Sequence, residues 1–267
     1  MTILDQIIEH KRHEIAERKA TTSLKSLERA EFFGRTTISL SGSIRRSDRS
    51  GIIAEFKRRS PSKGVINARA SVIETTQGYA AAGASALSVL TDEKFFGGSN
   101  ADLSLARKNN TCPILRKDFT VDEYQIAEAK AIGADAILLI AAVLSPKEAK
   151  TLAGFAHSLG LEVLMEVHNE AELAAHVECS ADLIGVNNRD LKTFTVSIET
   201  SKSLAARIPD GIVKVSESGI SDPDTIVELK KYGFEGFLIG ENFMKENDPA
   251  AAAHDFVQAL YKTGAAG

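Results

Sequence analysis

From Gly51 onward, short and nearly continuous apolar runs alternate with longer stretches whose apolar positions recur at helical spacing. The runs are Ile52-Ile53-Ala54-Glu55-Phe56, Ala86-Leu87-Ser88-Val89-Leu90, Pro113-Ile114-Leu115, Ala136-Ile137-Leu138-Leu139-Ile140, Leu161-Glu162-Val163-Leu164-Met165, Leu183-Ile184-Gly185-Val186, Ile212-Val213-Lys214-Val215 and Gly236-Phe237-Leu238-Ile239. Such runs predict strands buried on both faces, as a parallel sheet demands. Between them, Ser145-Pro146 and Asp222-Pro223 put Pro at a first helical position, and Asn169 precedes Glu-Ala-Glu-Leu; each is a helix start. Helical patterns end at Gly83, Gly133, Gly160 and Gly233, where a left-handed residue hands the chain to the next strand. Repeated eight times, this unit predicts an α/β fold, a closed (β/α)8 TIM barrel. An open Rossmann sheet would more often show six strands and GxGxxG after the first; that fingerprint is absent.

The first fifty residues follow another pattern. Ile3, Ile7 and Ile8 recur at helical spacing with Ile15 further along the stripe, predicting an amphipathic helix. A weaker helix is expected from Ser23 to about Phe33, followed by the polar stretch SGSIRRSDRSG. The expected organisation is a helical extension over residues 1–50 packed on a barrel over residues 51–267, forming one structural unit.

Composition narrows the classes. The chain has 267 residues, is 43% hydrophobic and 25% charged, and carries a formal charge of -4, which fits an ordinary globular protein and disfavours a generic nucleic-acid binder. Cys112 and Cys179 are its only cysteines, too few for a disulfide framework or a cysteine-built zinc site. No apolar run approaches the roughly 20 residues that span a bilayer, and the charged start lacks the apolar core of a signal peptide. A cytoplasmic protein is expected, with neither membrane nor nucleic-acid partners. The six histidines show no HExxH or other tight ligand spacing, so no metal is expected, and His168 reads as a hydrogen-bonded structural histidine. There is no GxSxG elbow.

In a barrel of this kind chemistry sits at the carboxyl ends of the strands. Five of the eight runs finish there in charged or amide groups: Glu55-Phe56-Lys57, Leu115-Arg116-Lys117-Asp118, Met165-Glu166, Asn187-Asn188-Arg189 and Glu217-Ser218. Residues two apart share a strand face, so Glu55 and Lys57 point together. Each group taken singly reads as a solvated strand end. Lysines and glutamates converging on one mouth instead provide ion-pair partners and perturbed proton affinities, the setting for acid–base chemistry.

After the last two strands stand Ser216-Glu217-Ser218-Gly219-Ile220 and Ile239-Gly240-Glu241-Asn242-Phe243-Met244. Glycine admits backbone N–H groups close to an anion, and a short helix starting near Glu241 would aim its positive end there. Either a phosphate site or two glycine-enabled turns fits these segments. The basic loop Lys57-Arg58-Arg59-Ser60-Pro61-Ser62-Lys63-Gly64 fits a lid that gathers an anionic substrate, a solvated loop or a nucleic-acid patch. Phe95-Phe96 and Phe119 add aromatics to the same rim, suited to internal packing or to a flat apolar ligand.

Several segments, in order along the chain, closely resemble the indole-3-glycerol phosphate synthase family: Glu55 to Ser62 (EFKRRSPS), Leu90 to Ser99 (LTDEKFFGGS), Leu115 to Phe119 (LRKDF), Gly185 to Leu191 (GVNNRDL) and Ser216 to Ile220 (SESGI). The resemblance covers about residues 3–262. It implies a (β/α)8 barrel and a cofactor-free reaction that cyclises, decarboxylates and dehydrates 1-(2-carboxyphenylamino)-1-deoxyribulose 5-phosphate. Carried over to this chain, it makes Lys117 the acid for ring closure and pairs Lys57 with the anthranilate carboxylate. It makes Glu166 a base with Glu55 beside Lys57, and gives Asn187 and Glu217 the orientation of lysines and ribulose hydroxyls. Ser60, Ser218, Gly219, Gly240 and Glu241 would cradle phosphate, the last two through backbone N–H. Arg189 would support Asn187 and Glu217, and Phe96, Phe119, Leu138 and Leu238 would enclose the anthranilate ring. Some members carry a small hydroxyl residue where this chain has Glu241, whose side chain is therefore expected to turn away from the phosphate. The implied partner is a small phosphosugar substrate, and the expected assembly is a monomer or weak homo-oligomer. Two rivals stand beside this reading. One is a Schiff-base lyase using Lys57 or Lys117 as nucleophile. The other is a non-catalytic phosphosugar-binding protein, against which the full complement of Lys57, Lys117 and Glu166 argues.

Overall fold

A computed structural model describes residues 2–190 and 193–264; Leu191, the last residue of the GVNNRDL segment, lies outside the described residues. Eight parallel strands close into a barrel: β1 (Ile52–Phe56), β2 (Ala86–Leu90), β3 (Ile114–Lys117), β4 (Ala136–Ile140), β5 (Glu162–Val167), β6 (Leu183–Asn187), β7 (Val213–Glu217) and β8 (Gly236–Ile239). Each pairs with its sequence neighbours, and β1 closes the ring on β8 with Ile53 opposite Leu238. The expected helix starts are present. Ser145 forms a reciprocal cap with Glu148 ahead of Pro146–Ser158, Asn169 accepts from the N–H of Glu172, and Asp222 caps Pro223–Lys230. Gly133, at φ 100°, ends the helix Glu123–Ile132 in the left-handed region that favours glycine.

Side chains inside the barrel form layers of different chemistry. Ile53, Ala86, Leu115, Ala136, Leu138, Leu164, Leu183, Val213 and Val215 make the apolar lower layers. The alternate residues Ile52, Ala54 and Phe56 face outward into the larger cluster shared with the surrounding helices. Nearer the carboxyl ends, the inward positions carry charge.

The amino-terminal segment contributes α1 (Ile3–Thr21), α2 (Leu24–Leu27) and α3 (Leu40–Ile44). Only Leu24–Leu27 of the expected second helix is α-helical; turns carry the chain on through residue 34. The polar stretch after it conceals α3, because Leu40 and Ile44, one turn apart, reach down between serines and arginines into the lower barrel layer. Burying each contributes on the order of 1.5–3 kcal/mol, which outweighs the polar character of its neighbours. Thus α3 plugs the amino-terminal end of the barrel, fastened by Ser41 N–H to Glu162 Oε2 (2.8 Å) and Ser43 Oγ to the Ser85 carbonyl (2.6 Å).

α1 runs to the opposite end. Ile15 packs with Tyr124, Ala127 and Ala131 of the helix Glu123–Ile132. One turn earlier Lys11, 1% exposed, sits 3.0 Å from Asp92 and 2.9 Å from Asp118, in the loops that follow β2 and β3. Among the described residues no helix is long and apolar enough to cross a membrane.

Candidate active site

At the carboxyl ends of the strands lies a cavity of about 510 Å³. All sixteen site residues expected from the sequence line it: Glu55, Lys57, Ser60, Phe96, Lys117, Phe119, Leu138, Glu166, Asn187, Arg189, Glu217, Ser218, Gly219, Leu238, Gly240 and Glu241. Strand alternation explains the charged centre. Glu55 and Lys57 point inward while Phe56 joins the outer core, and Lys117 points inward while its neighbour Arg116 is buried among the outer helices.

Lys117 Nζ lies 3.2 Å from Glu166 Oε2 and 3.6 Å from Glu217 Oε2. Asn187 Nδ2 donates to Glu166 Oε1 at 3.2 Å and is itself held by the Arg189 N–H on its Oδ1. Lys57 Nζ donates to Glu55 Oε1 at 2.6 Å. His168 is hydrogen-bonded, as expected of a structural histidine, but it stands between carboxylates: Nδ1 is 3.1 Å from Glu172 Oε2 and Nε2 3.2 Å from Glu166 Oε1.

The environments push these groups apart. Burial alone would lower the proton affinity of Lys117, yet Glu166, Glu217 and Glu55 together raise it well above the ordinary lysine value. Burial would likewise raise the Glu166 carboxyl, but Lys117 and the hydrogen-bonded His168 hold it far below the usual carboxylate range. Glu217 goes the other way. Burial and the like charges of Glu166 and Glu55 outweigh the pull of Lys117, and its carboxyl is raised. The geometry gives the reason: Glu166 has a partner on each oxygen, whereas Glu217 shares Lys117 at longer range and leaves Oε1 buried without a hydrogen bond. Strongly divergent proton affinities in one cleft are a mark of acid–base sites.

Two consecutive left-handed residues, Ser218 at φ 67° and Gly219 at φ 78°, follow β7. Serine pays a steric cost in that region of roughly 1–2 kcal/mol, so the turn is held by its surroundings. Asn188 Nδ2 does so by donating to the Ser218 carbonyl at 3.0 Å. Gly240 precedes the short helix Glu241–Met244, and a Cβ there would meet Glu55 Oε1 at 2.5 Å, so glycine lets the backbone after β8 approach the acidic floor. The Glu241 side chain is engaged by two cations, Lys63 Nζ at 3.3 Å and Arg189 Nη2 at 3.5 Å. This pairing offsets the charge of a carboxylate beside the segments expected to hold phosphate, a difficulty that the sequence reading resolves only by turning the side chain away.

The loop after β1 forms a two-stranded ribbon, Arg59–Ser60 against Gly64–Val65. Three of its basic residues already have carboxylate partners: Lys57 with Glu55, Arg58 with Asp102 and Lys63 with Glu241. That leaves little of a free cationic patch for nucleic acid. Phe96 and Phe119 form an aromatic wall, ring centroids 5.8 Å apart. Lys63 of the basic loop lines the cavity too, and the sequence reading did not include Ile3, Leu4 and Ile7 of α1, nor Phe194, Val196, Asn242 and Lys245, which also line it. The stripe of α1 is visible in the sequence, but nothing in its spacing says that it ends over the barrel mouth.

A parallel barrel whose strand tips converge paired lysines and carboxylates on one cavity defines a (β/α)8-barrel enzyme of acid–base type. Residues 4–256 match the sequence profile of a family described as indole-3-glycerol phosphate synthase. Proteins of that name are 50% identical in Bacteroides thetaiotaomicron, over 97% of this chain and 98% of the relative, and 44% identical in Chloroherpeton thalassium, over 94% and 98%. The chain belongs to the indole-3-glycerol phosphate synthase family, a carboxy-lyase family of tryptophan biosynthesis. A mutant tryptophan synthase alpha-subunit from Pyrococcus furiosus shares the fold, with a TM-score of 0.61 at 16% identity over 80% of this chain and 99% of that one. So does thiamine phosphate pyrophosphorylase from Pyrococcus furiosus, at a TM-score of 0.60 and 15% identity over 81% and 98%.

Proposed function

We propose that this chain converts 1-(2-carboxyphenylamino)-1-deoxyribulose 5-phosphate to indole-3-glycerol phosphate, carbon dioxide and water. The observation that carries the reading is Lys117 fixed among Glu166, Glu217 and Glu55, between an aromatic wall and the glycine-bearing turns after β7 and β8, in one cavity. The ring carbon bearing the carboxylate attacks the ketone carbon, and Lys117 protonates the ketone oxygen. Lys57 pairs with the carboxylate until carbon dioxide leaves and the ring regains aromaticity. The hydroxyl then departs as water with a proton donated by Lys57, while a carboxylate, Glu166 in this scheme, accepts the proton released as the indole double bond forms. Glu55 holds Lys57, and Asn187 and Glu217 orient the lysines and the ribulose hydroxyls. Ser60, Ser218 and the N–H groups of Gly219, Gly240 and Glu241 take the phosphate with help from Arg189, and Phe96, Phe119, Leu138 and Leu238 enclose the aromatic ring.

Holding nucleophile and electrophile of one molecule in attack geometry supplies roughly 7–11 kcal/mol, and acid–base help adds about 10²–10⁴-fold. A lysine flanked by carboxylates keeps its proton at neutral pH, which favours an acid over the amine nucleophile that a Schiff-base lyase requires. Extension and barrel act as one structural unit in this reading. One chain furnishes every residue named, which fits a monomer or weak homo-oligomer in the cytoplasm.

Purified protein given the anthranilate ribulose phosphate without added metal is expected to develop indole absorbance. Lys117→Ala should lower turnover by about 10²–10⁴-fold while circular dichroism stays that of a folded barrel. Near-normal turnover in that variant would remove Lys117 from the acid role.

A further inference from the structure

His168 stands two residues beyond Glu166 in the turn between β5 and the helix Glu170–His176, with its side chain 7% exposed. Its ring bridges two carboxylates from different places: Nε2 is 3.2 Å from Glu166 Oε1 inside the cavity, and Nδ1 is 3.1 Å from Glu172 Oε2 on the following helix. Glu172 is locked in turn. It accepts from the backbone N–H of His168 at 2.8 Å and, through Oε1, from Asn169 Nδ2 at 2.7 Å. The ring is therefore gripped on its outer side, while its inner nitrogen, buried, faces Glu166. Glu166 thus meets two cations on opposite oxygens, Lys117 on Oε2 and His168 on Oε1.

That duplication has a purpose if the function proposed above holds. When Lys117 releases its proton, Glu166 loses one of its counter-charges at the moment before it must act as a base. We infer that His168 is a positioning residue: anchored by Glu172, it keeps Glu166 ionised and in place after Lys117 has become neutral, and so separates the basicity of Glu166 from the protonation state of Lys117. The ionisable groups acting on this arrangement are Glu166 on β5, Glu172 on the next helix, Lys117 on β3 and Glu217 on β7. Burial alone would favour a neutral ring, yet hydrogen bonds to Glu166 and Glu172 and their charges raise the His168 value to about 10.

The experiment has two arms, and the first needs no turnover. In ¹⁵N spectra of the ligand-free wild-type protein at pH 7.5, the His168 ring nitrogens are expected at imidazolium shifts, moving toward neutral imidazole in Glu172→Gln. A neutral ring in the wild type overturns the inference, even if catalysis proves to be of the proposed kind. In the second arm His168→Gln, which keeps a polar contact without the charge, and His168→Phe are compared with the wild type. The expected result is a kcat lowered by roughly tenfold to a hundredfold, KM changed less than threefold, and the acid limb of the kcat profile moved to higher pH, with His168→Phe the more affected. An unmoved acid limb, or equal losses in kcat at every pH, would reduce His168 to packing and overturn the inference. Absence of turnover in the wild type would refute the proposed function instead and leave the spectra to decide for His168.

Discussion

Gly185 and Glu217 face one another across β6 and β7, and each explains the other. A Cβ on Gly185 would collide with Glu217 Oε1, so the glycine in the middle of a strand makes room for a carboxylate. The sequence displays both residues without their relation, since a strand glycine reads equally as a bulge. Glu217 itself is held at a cost, buried with one oxygen unpartnered. Its carboxyl is raised by burial and by Glu166 and Glu55, so the folded protein binds this proton more tightly than the unfolded chain does. The stability linked to it is complete below the ordinary value of 4.5 and is lost as pH rises through the raised folded-state value. Glu217→Gln should therefore gain on the wild type as pH rises from neutral toward 9, by about 1–3 kcal/mol in chemical denaturation. A gain that does not grow with pH would count against the raised proton affinity.

Among the elements, α1 shows how far periodicity can be trusted. Positions 3, 7, 11 and 15 form one stripe, and three of them are isoleucine, which is why a helix was legible there. The fourth, Lys11, breaks the apolar rule and proves to be the ion-pairing member of the stripe: it joins Asp92, which caps the turn carrying Phe96, to Asp118, the neighbour of Lys117. Arg116 closes the set, 3.3 Å from Asp118 and 2.6 Å from Glu128, which Arg18 of α1 also contacts at 2.9 Å. Long-range ion pairing of this kind has no signature in sequence spacing, whereas the strand runs and helix caps are local and could be read. Burial would push the Asp118 carboxyl up, but Lys11 and Arg116 hold it down at about 2. Its contribution to stability is therefore present above the ordinary 3.8 and lost as pH falls through about 2. Lys11→Met leaves two buried carboxylates short of a cation and should cost about 3–5 kcal/mol, a melting point lower by roughly 10 °C, with acid unfolding moved to higher pH. A melting point within a degree of the wild type would show that the clasp contributes nothing.

For the molecule as a whole, the eight-unit repeat made the barrel legible, and the rule that barrel enzymes work at strand carboxyl ends made the site legible through it. Glu55, Lys117, Glu166 and Glu217 were found because they violate the apolar character of the strands that end in them. What the repeat could not reveal is the closure of both ends by the amino-terminal segment: α3 below, through Leu40 and Ile44, and α1 above, through Ile3, Leu4 and Ile7. Those residues carry no mark in the sequence that sets a position over a barrel end apart from an ordinary core position.

The ion pairs of the cavity fall into two groups by exposure. Lys117, Glu166 and Glu217 are sheltered, at 16%, 6% and 2% side-chain exposure, whereas Lys63 and Glu241 at the rim stand at 53% and 37%. Dissolved electrolyte reaches only the second group, because screening acts over about 8 Å of open water at physiological strength and hardly penetrates the interior. Raising sodium chloride from 50 to 500 mM should accordingly weaken capture of a substrate bearing both a carboxylate and a phosphate, with KM rising several-fold, while kcat holds nearly constant. A parallel fall in both would mean that the brine reaches the lysine at the bottom, and that the pocket is wetter than its walls suggest.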